Sequence, residues 1–317
     1  MLESFLAAFG AVLPFLIYLG LGWFAVRTRI TDRAFMERLN RFVFKLFFPF
    51  MTFYNVYKAT DGAMPSLTLM LFCGIGIVAL IILLTLTVPR FVRENRRRGV
   101  VIQAIFRSNY VLYGVAMTEL LFPEKASIAG VMTLEVVSIF NIAAVIVLEM
   151  FNDSEQGQRT GPLALAGKVF RNPLLEGCLL GLLFLLVGLR LPPMLEKPIS
   201  ALSGLTTPVA MVTLGGTLVF GDVRRNLRII TPVLLIRLIA LPVVMLSLAW
   251  LIGLRGVELF LVLMAFGTPI ATSSYPMAAN MGGDGDLAGE LVFLSTVISL
   301  FTIFCFIFAL KQMQLIP

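Results

Sequence analysis

Long apolar runs separated by short clusters of charge fill the chain from end to end. The stretch from Ser66 to Val88 holds no charged residue. It exceeds the run of about 18 apolar residues that already indicates a membrane-spanning helix. Reading each run by its length and flanking charge gives segments at 5–26, 35–57, 66–88, 101–122, 127–150, 172–189, 198–220, 229–253, 257–281 and 288–310. The pattern therefore predicts an all-α membrane protein of about ten transmembrane helices. Most connections are too short for a soluble domain. The longest, Phe151 to Arg171, is polar and contains glycine, which suits a linker. The expected division is a first half over 1–150, a linker over 151–171 and a second half over 172–317.

Composition agrees with the bilayer as solvent. Of 317 residues, 59% are hydrophobic and 14% charged, against about 25% charged in an ordinary soluble domain. The net charge of +7 raises nucleic acid as a partner, but the basic residues sit in short loops between apolar segments, a membrane-topology pattern. Loops one, three, five and seven carry Arg27/Arg29/Arg33, Arg90/Arg93/Arg96/Arg97/Arg98, Arg159/Lys168/Arg171 and Arg224/Arg225/Arg228. Under the positive-inside rule these loops face the cytoplasm and both termini lie outside. The last cytoplasmic loop, MGGDGD, is the exception: it has Asp284 and Asp286 and no basic residue. The start, MLESFLAAFG, lacks a basic n-region and a cleavage pattern, so the first segment is expected to be retained.

Chemistry of the enzymatic kind finds little support. Histidine is absent, and Cys73, Cys178 and Cys305 lie singly in apolar runs without ligand spacing. No metal, cofactor or catalytic residue is expected.

An offset of 159 residues places Pro14 on Pro173, Gly22 on Gly181 and Pro49 on Pro208. Five segments per half is an odd number, so a repeated second half must enter the membrane from the opposite side. Two inverted five-helix repeats follow.

Polar and helix-breaking residues are expensive inside a bilayer and mark the candidate substrate path. Segment nine, FGTPIATSSYPMAANMGG, has Pro269 and Pro276, which lack backbone donors, with Thr272, Ser273 and Ser274 between them to serve unpaired carbonyls. It is either a kinked helix or a discontinuous one whose second half presents free N–H groups to an anion. Segment four, FRSNYVLYGVAMTELL, offers Asn109 and Gly114 but no proline. Gly114 permits a break without enforcing one, and Asn109 suits either a substrate contact or an interhelical hydrogen bond. Segment five sets Glu135, Ser138 and Asn141 at i, i+3 spacing on one stripe facing protein or water. Glu135 there either binds a coupling proton or sodium ion, pairs with a cation, or lies near the outer surface; Glu119 divides between ion coupling and interfacial solvation. Lys45, Arg107 and Arg237 lie about two turns from cytoplasmic boundaries and either snorkel to that interface or hold substrate. Arg107, two residues before Asn109, is best placed to grip a carboxylate bidentately. Ser295, Ser299 and Thr302 share a face of segment ten and read as packing residues.

The runs LNRFVFKLFFPFMTF, FRSNYVLYG, IFNIAAVIVLE, RNPLLEGCLLGLL and TPIATSSYPMAANMGGDGDLAGELVFLST, in this order, resemble the auxin efflux carrier family, which includes plant PIN proteins and bacterial malate and malonate permeases. The resemblance covers essentially the whole chain. It implies a scaffold of segments one, two, six and seven and a mobile transport domain of segments three to five and eight to ten. Segments four and nine would be discontinuous and cross at the substrate, which carries Asn109, Gly114, Asn141 and Pro269 with its Ser/Thr run into the site. It also implies elevator-type alternating access and a homodimer. Two departures stand out. Val115 and Ala116 follow the glycine of segment four, where many relatives have proline, and Pro276 replaces an ordinary apolar residue, an expectation of a displaced or more pronounced break.

The leading expectation is a secondary transporter of small organic anions, mono- or dicarboxylates. The alternative is a sodium-coupled organic-anion symporter of the bile-acid transporter type. From a different class, a membrane ligand sensor lacks an attached signalling domain, and an intramembrane enzyme lacks a nucleophile–base pair.

Overall fold

The structure, a computed structural model, describes residues 2–58, 64–152, 167, 171–217 and 220–316; the side chains of some helical positions, among them 2–12, 119 and 220–225, are outside this description. The side chain of Glu119 and most of the expected linker over 151–171 therefore lie outside the described residues, as do the side chains of Arg159, Lys168, Arg224 and Arg225.

Regular structure among the described residues is helical, apart from one isolated antiparallel bridge. The helices are α1 (Leu2–Arg27), α2 (Arg33–Tyr57), α3 (Leu67–Phe91), α4 (Asn95–Phe106), α5 (Ala116–Leu121), α6 (Ala126–Met150), α7 (Pro173–Val187), α8 (Pro193–Thr217), α9 (Phe220–Leu235), α10 (Leu241–Leu251), α11 (Gly256–Gly267), α12 (Ser274–Asn280) and α13 (Gly285–Gln312). Single π-helical turns, Val111–Val115 and Ile236–Ala240, lead into α5 and join α9 to α10. Among the described residues five helical stretches are long and apolar enough to cross a membrane: Leu67–Phe91, Ile128–Met150, Pro193–Thr217, Asn226–Leu251 and Gly285–Gln312. Shorter apolar helices include Leu16–Arg27, Leu175–Val187 and Gly256–Gly267.

Helix starts follow local chemistry. Asp32, Ser66 and Asp284 are N-caps whose side chains accept from Phe35 N at 2.6 Å, Leu69 N at 3.1 Å and Leu287 N at 3.0 Å. Each satisfies one donor that the first turn leaves free.

Two groups of helices result. α2 packs along α7 and α8, and α1 along α8; α3, α4 and α6 pack on one another, and α12 on α13, which also meets α4 and α9. The first group relies on glycine for close approach. A Cβ on Gly22 of α1 would collide with the carbonyl of Val212 on α8, and one on Gly181 of α7 would fall 2.7 Å from the carbonyl of Phe53 on α2. Gly22 and Gly181 are 159 apart, and so are Phe53 and Val212, so the two contacts match under one offset.

Loop charges gather at two ends. Arg97 pairs with Asp284 at 3.0 Å and Arg33 with Asp286 at 3.1 Å, and Asp284 N donates to Arg96 O at 3.0 Å. The acidic MGGDGD loop thus lies against the first and third loops. Its missing basic residues are supplied by its neighbours. At the other end Lys58 pairs with Glu196 at 2.6 Å.

Candidate functional site

Segments four and nine both break, and they break against each other. α4 ends at Phe106, and Arg107 leaves the helix in an extended conformation (φ −90°, ψ 105°). α11 ends at Gly267, and Thr268 is likewise extended (φ −74°, ψ 160°). The two short extended stretches then pair antiparallel at Ser108 and Ile270. Asn109 N donates to Pro269 O at 2.9 Å, and Ala271 N donates to Arg107 O at 3.2 Å. Backbone groups that a helix break exposes inside a membrane must find partners in protein. Here each break supplies those of the other.

Further partners come from side chains. The Ser295 hydroxyl on α13 accepts from Ile270 N at 3.2 Å, a role that spacing alone did not reveal. Arg237, in the π-helical turn before α10, is fully buried. It donates through Nε and Nη2 to Thr268 O at 3.1 and 2.8 Å and through Nη1 to Ile105 O at 3.0 Å. It therefore sits at the C-terminal ends of α4 and α11 together, where each helix carries about half a negative charge. Snorkelling, one of the two sequence readings of this residue, is excluded: its guanidinium is held by carbonyls that only the crossing creates. Lys45, by contrast, is exposed.

Beside the crossing is a cavity of about 450 Å³, within the usual range of small-molecule sites. Arg107, Ser108, Asn109, Asn141, Thr272 and Ser273 line one side of it. The opposite wall is largely apolar, from Pro14 and Tyr18 of α1, Met51 of α2 and Pro208 of α8, with Asn55, Ser203 and Thr207 among them. Arg107 is 3% exposed; its Nη2 donates to Asn141 Oδ1 at 2.6 Å and its Nη1 contacts Met277 Sδ. Among the described residues the lining contains this cation and no acidic side chain. Two further groups wait without partners among the described residues: Asn109 Nδ2 and Ser108 Oγ, both buried.

The remaining candidates divide. Pro269 acts through its carbonyl, which holds Asn109 N. Gly114 packs under the ring of Tyr110, where a Cβ would come within 2.9 Å of it. The break in segment four therefore precedes Gly114 by several residues and falls at Arg107–Asn109. Ser274 begins α12, its carbonyl accepting from Gln103 Nε2 at 3.0 Å and its hydroxyl buried without a partner among the described residues. Pro276 lies in the first turn of α12, where a missing N–H is harmless; it does not displace the break, which is at 268–273. Ser138 accepts a weak contact from Cys178 Sγ at 3.8 Å. Glu135 faces Gly74 of α3 and is not in the cavity lining. The i, i+3, i+6 stripe does not hold together because three residues lag a helical turn by about 60°. Asn141 and Glu135 consequently point to different neighbours.

The chain is 24% identical over 308 residues to an uncharacterized transporter of Methanothermobacter thermautotrophicus, covering 93% of this chain and 96% of that one. Residues 7–307 match the family described as membrane transport protein. This integral membrane chain thus belongs to the membrane transport protein family, that of the auxin efflux carriers.

Proposed function

We propose that the protein is a secondary transporter of small organic anions, with mono- or dicarboxylates as its substrates. One observation carries the reading: among the described residues, the cavity beside the crossing is lined by a buried guanidinium, Arg107, and by no acidic side chain. A cation buried without an opposite charge is costly. An anionic substrate supplies that charge, and a guanidinium holds a carboxylate through two parallel hydrogen bonds. Asn109 Nδ2 and Ser108 Oγ, the unpartnered polar atoms of the lining, complete the grip. The apolar wall receives the rest of the molecule.

The proposed architecture is two inverted five-helix repeats over 1–150 and 172–317, for which the matched contacts of Gly22 and Gly181 speak. The scaffold is the α1, α2, α7, α8 group; the transport domain comprises the other helices and moves as an elevator. The cavity lies between the two groups. Toward the Lys58 end its lining reaches Asn55. Toward the Arg33 end the groups touch: Thr217 Oγ1 and Tyr275 OH are 2.8 Å apart, and Arg33 meets Asp286. With the arginine-rich end cytoplasmic, this is a carrier open toward the outside, in a plasma membrane with both termini external and working as a homodimer.

The test is counterflow in proteoliposomes with labelled lactate, malonate, malate and phenylacetate, against labelled choline as a cationic control. Exchange of at least one carboxylate and not of choline is expected. Exchange of choline alone would overturn the assignment of anions.

A further inference from the structure

Glu135 is an ionisable group near the crossing that the substrate cavity leaves unused. It sits on α6 facing α3, half-buried, with Oε1 over Gly74 in the room that the missing side chain leaves. Its Oε2 is buried and has no hydrogen-bond partner among the described residues, and no ion pair among them involves it. The titratable groups around it are the Cys73 thiol on α3 and the hydroxyl of Tyr110, which donates to Ala129 O at 3.3 Å. Neither is a cation. The Ile139 side chain borders the same gap over Gly74.

We propose that Glu135 is a proton-binding site that loads together with the anion, making the protein an anion–proton symporter; this rests on the transport reading above. The reason is charge balance within a unit that must cross the bilayer interior, where net charge is heavily penalised. The charge of Arg237 is offset by the C-terminal ends of α4 and α11, about half a charge from each. Among the described residues around the crossing that leaves Arg107 and Glu135; a further buried carboxylate, Glu290 of α13, accepts from Asn226 Nδ2 at 2.8 Å. In the empty carrier the guanidinium and the carboxylate cancel. A bound carboxylate neutralises Arg107 instead, and neutrality then requires a proton on a Glu135 oxygen, taken from water on one side and returned to water on the other. The mixed forms each carry one net charge and are held back. Tyr110 links the two sites, since it lines the cavity and lies beside Glu135.

Glu135→Gln separates the steps. Its loaded form is neutral and crosses; its empty form carries the lone charge of Arg107 and does not return. Wild-type proteoliposomes with an interior one pH unit more alkaline should concentrate the monocarboxylate that scores highest in the counterflow panel about tenfold, as one proton per singly charged anion dictates. Entrapped pyranine should report acidification, and replacing sodium with N-methylglucamine should change neither result. Glu135→Gln should retain counterflow and lose both accumulation and acidification. Acidification by Glu135→Gln at the wild-type rate, or accumulation that needs sodium, would overturn the proposal while leaving anion transport standing. An infrared pH titration of the wild-type protein decides the proton site without any substrate. A protonated-carboxyl band that titrates and is missing from Glu135→Gln is expected, and its absence from the wild type would refute the site.

Discussion

Two buried arginines of the same type do different work, and their partners tell them apart. Arg237 is satisfied by three donations to carbonyl oxygens of two helix ends. Arg237→Met should therefore destabilise the protein by about 2–5 kcal/mol, because the carbonyls of Ile105 and Thr268 would be orphaned in the interior. Thermal unfolding in detergent reads this, and an unchanged melting temperature would contradict the role. Arg107 has one amide oxygen and one thioether for company and faces a cavity. Arg107→Gln should fold and melt near the wild-type temperature yet lose transport. The sequence named Arg107, Asn109, Gly114, Asn141, Pro269, Thr272, Ser273 and Ser274 as substrate candidates, because polar and helix-breaking residues inside apolar segments are conspicuous; of these, Arg107, Asn109, Asn141, Thr272 and Ser273 line the cavity. It preferred Arg107 to Arg237 for its place two residues before Asn109, but it gave Arg237 no role of its own, since both lie two turns from a loop. What distinguishes them is whether carbonyls of a broken helix lie within reach, and that is fixed by residues more than thirty positions away.

At the level of helices, the break in segment nine was legible and the break in segment four was less so. Proline announces itself by its missing N–H, and Pro269 stands in the extended stretch as expected. Segment four has no such mark; its helix ends because Asn109 N and Arg107 O find better partners in Pro269 and Ala271 than an isolated helix offers. Gly114, the residue that looked permissive, is needed instead for contact with the Tyr110 ring. The crossing also depends on α13. Ser295→Ala should leave Ile270 N unpaired and cost about 1–3 kcal/mol, read as a lower melting temperature. Substitution at Gly181 acts elsewhere: Gly181→Val forces a side chain against the carbonyl of Phe53 and the Val56 side chain. Overpacking of a rigid helix pair costs about 1–3 kcal/mol. Wild-type stability in Gly181→Val would mean that α2 and α7 are not held as closely as described.

Over the whole molecule, the run of apolar segments made the helical membrane class plain, because length and hydropathy are local properties. The MGGDGD loop was harder to group with the basic loops, since it has no basic residue of its own; Arg33 and Arg97 from distant loops pair with its aspartates. That end is also where alternating access can be tested. In a background lacking Cys305, Arg33→Cys with Asp286→Cys joined by a reducible bis-maleimide should stop transport, and reduction should restore it. Continued transport in the cross-linked protein would show that this end need not open. The reading of the cavity as an anion site meets its most direct test in counterflow of the labelled carboxylates by wild type and Arg107→Gln at equal reconstitution. Loss of one charge-assisted hydrogen-bonding group predicts a fall of about 10- to 100-fold in Arg107→Gln with its melting temperature preserved. Equal exchange by the two proteins would contradict the assignment of Arg107 to the substrate.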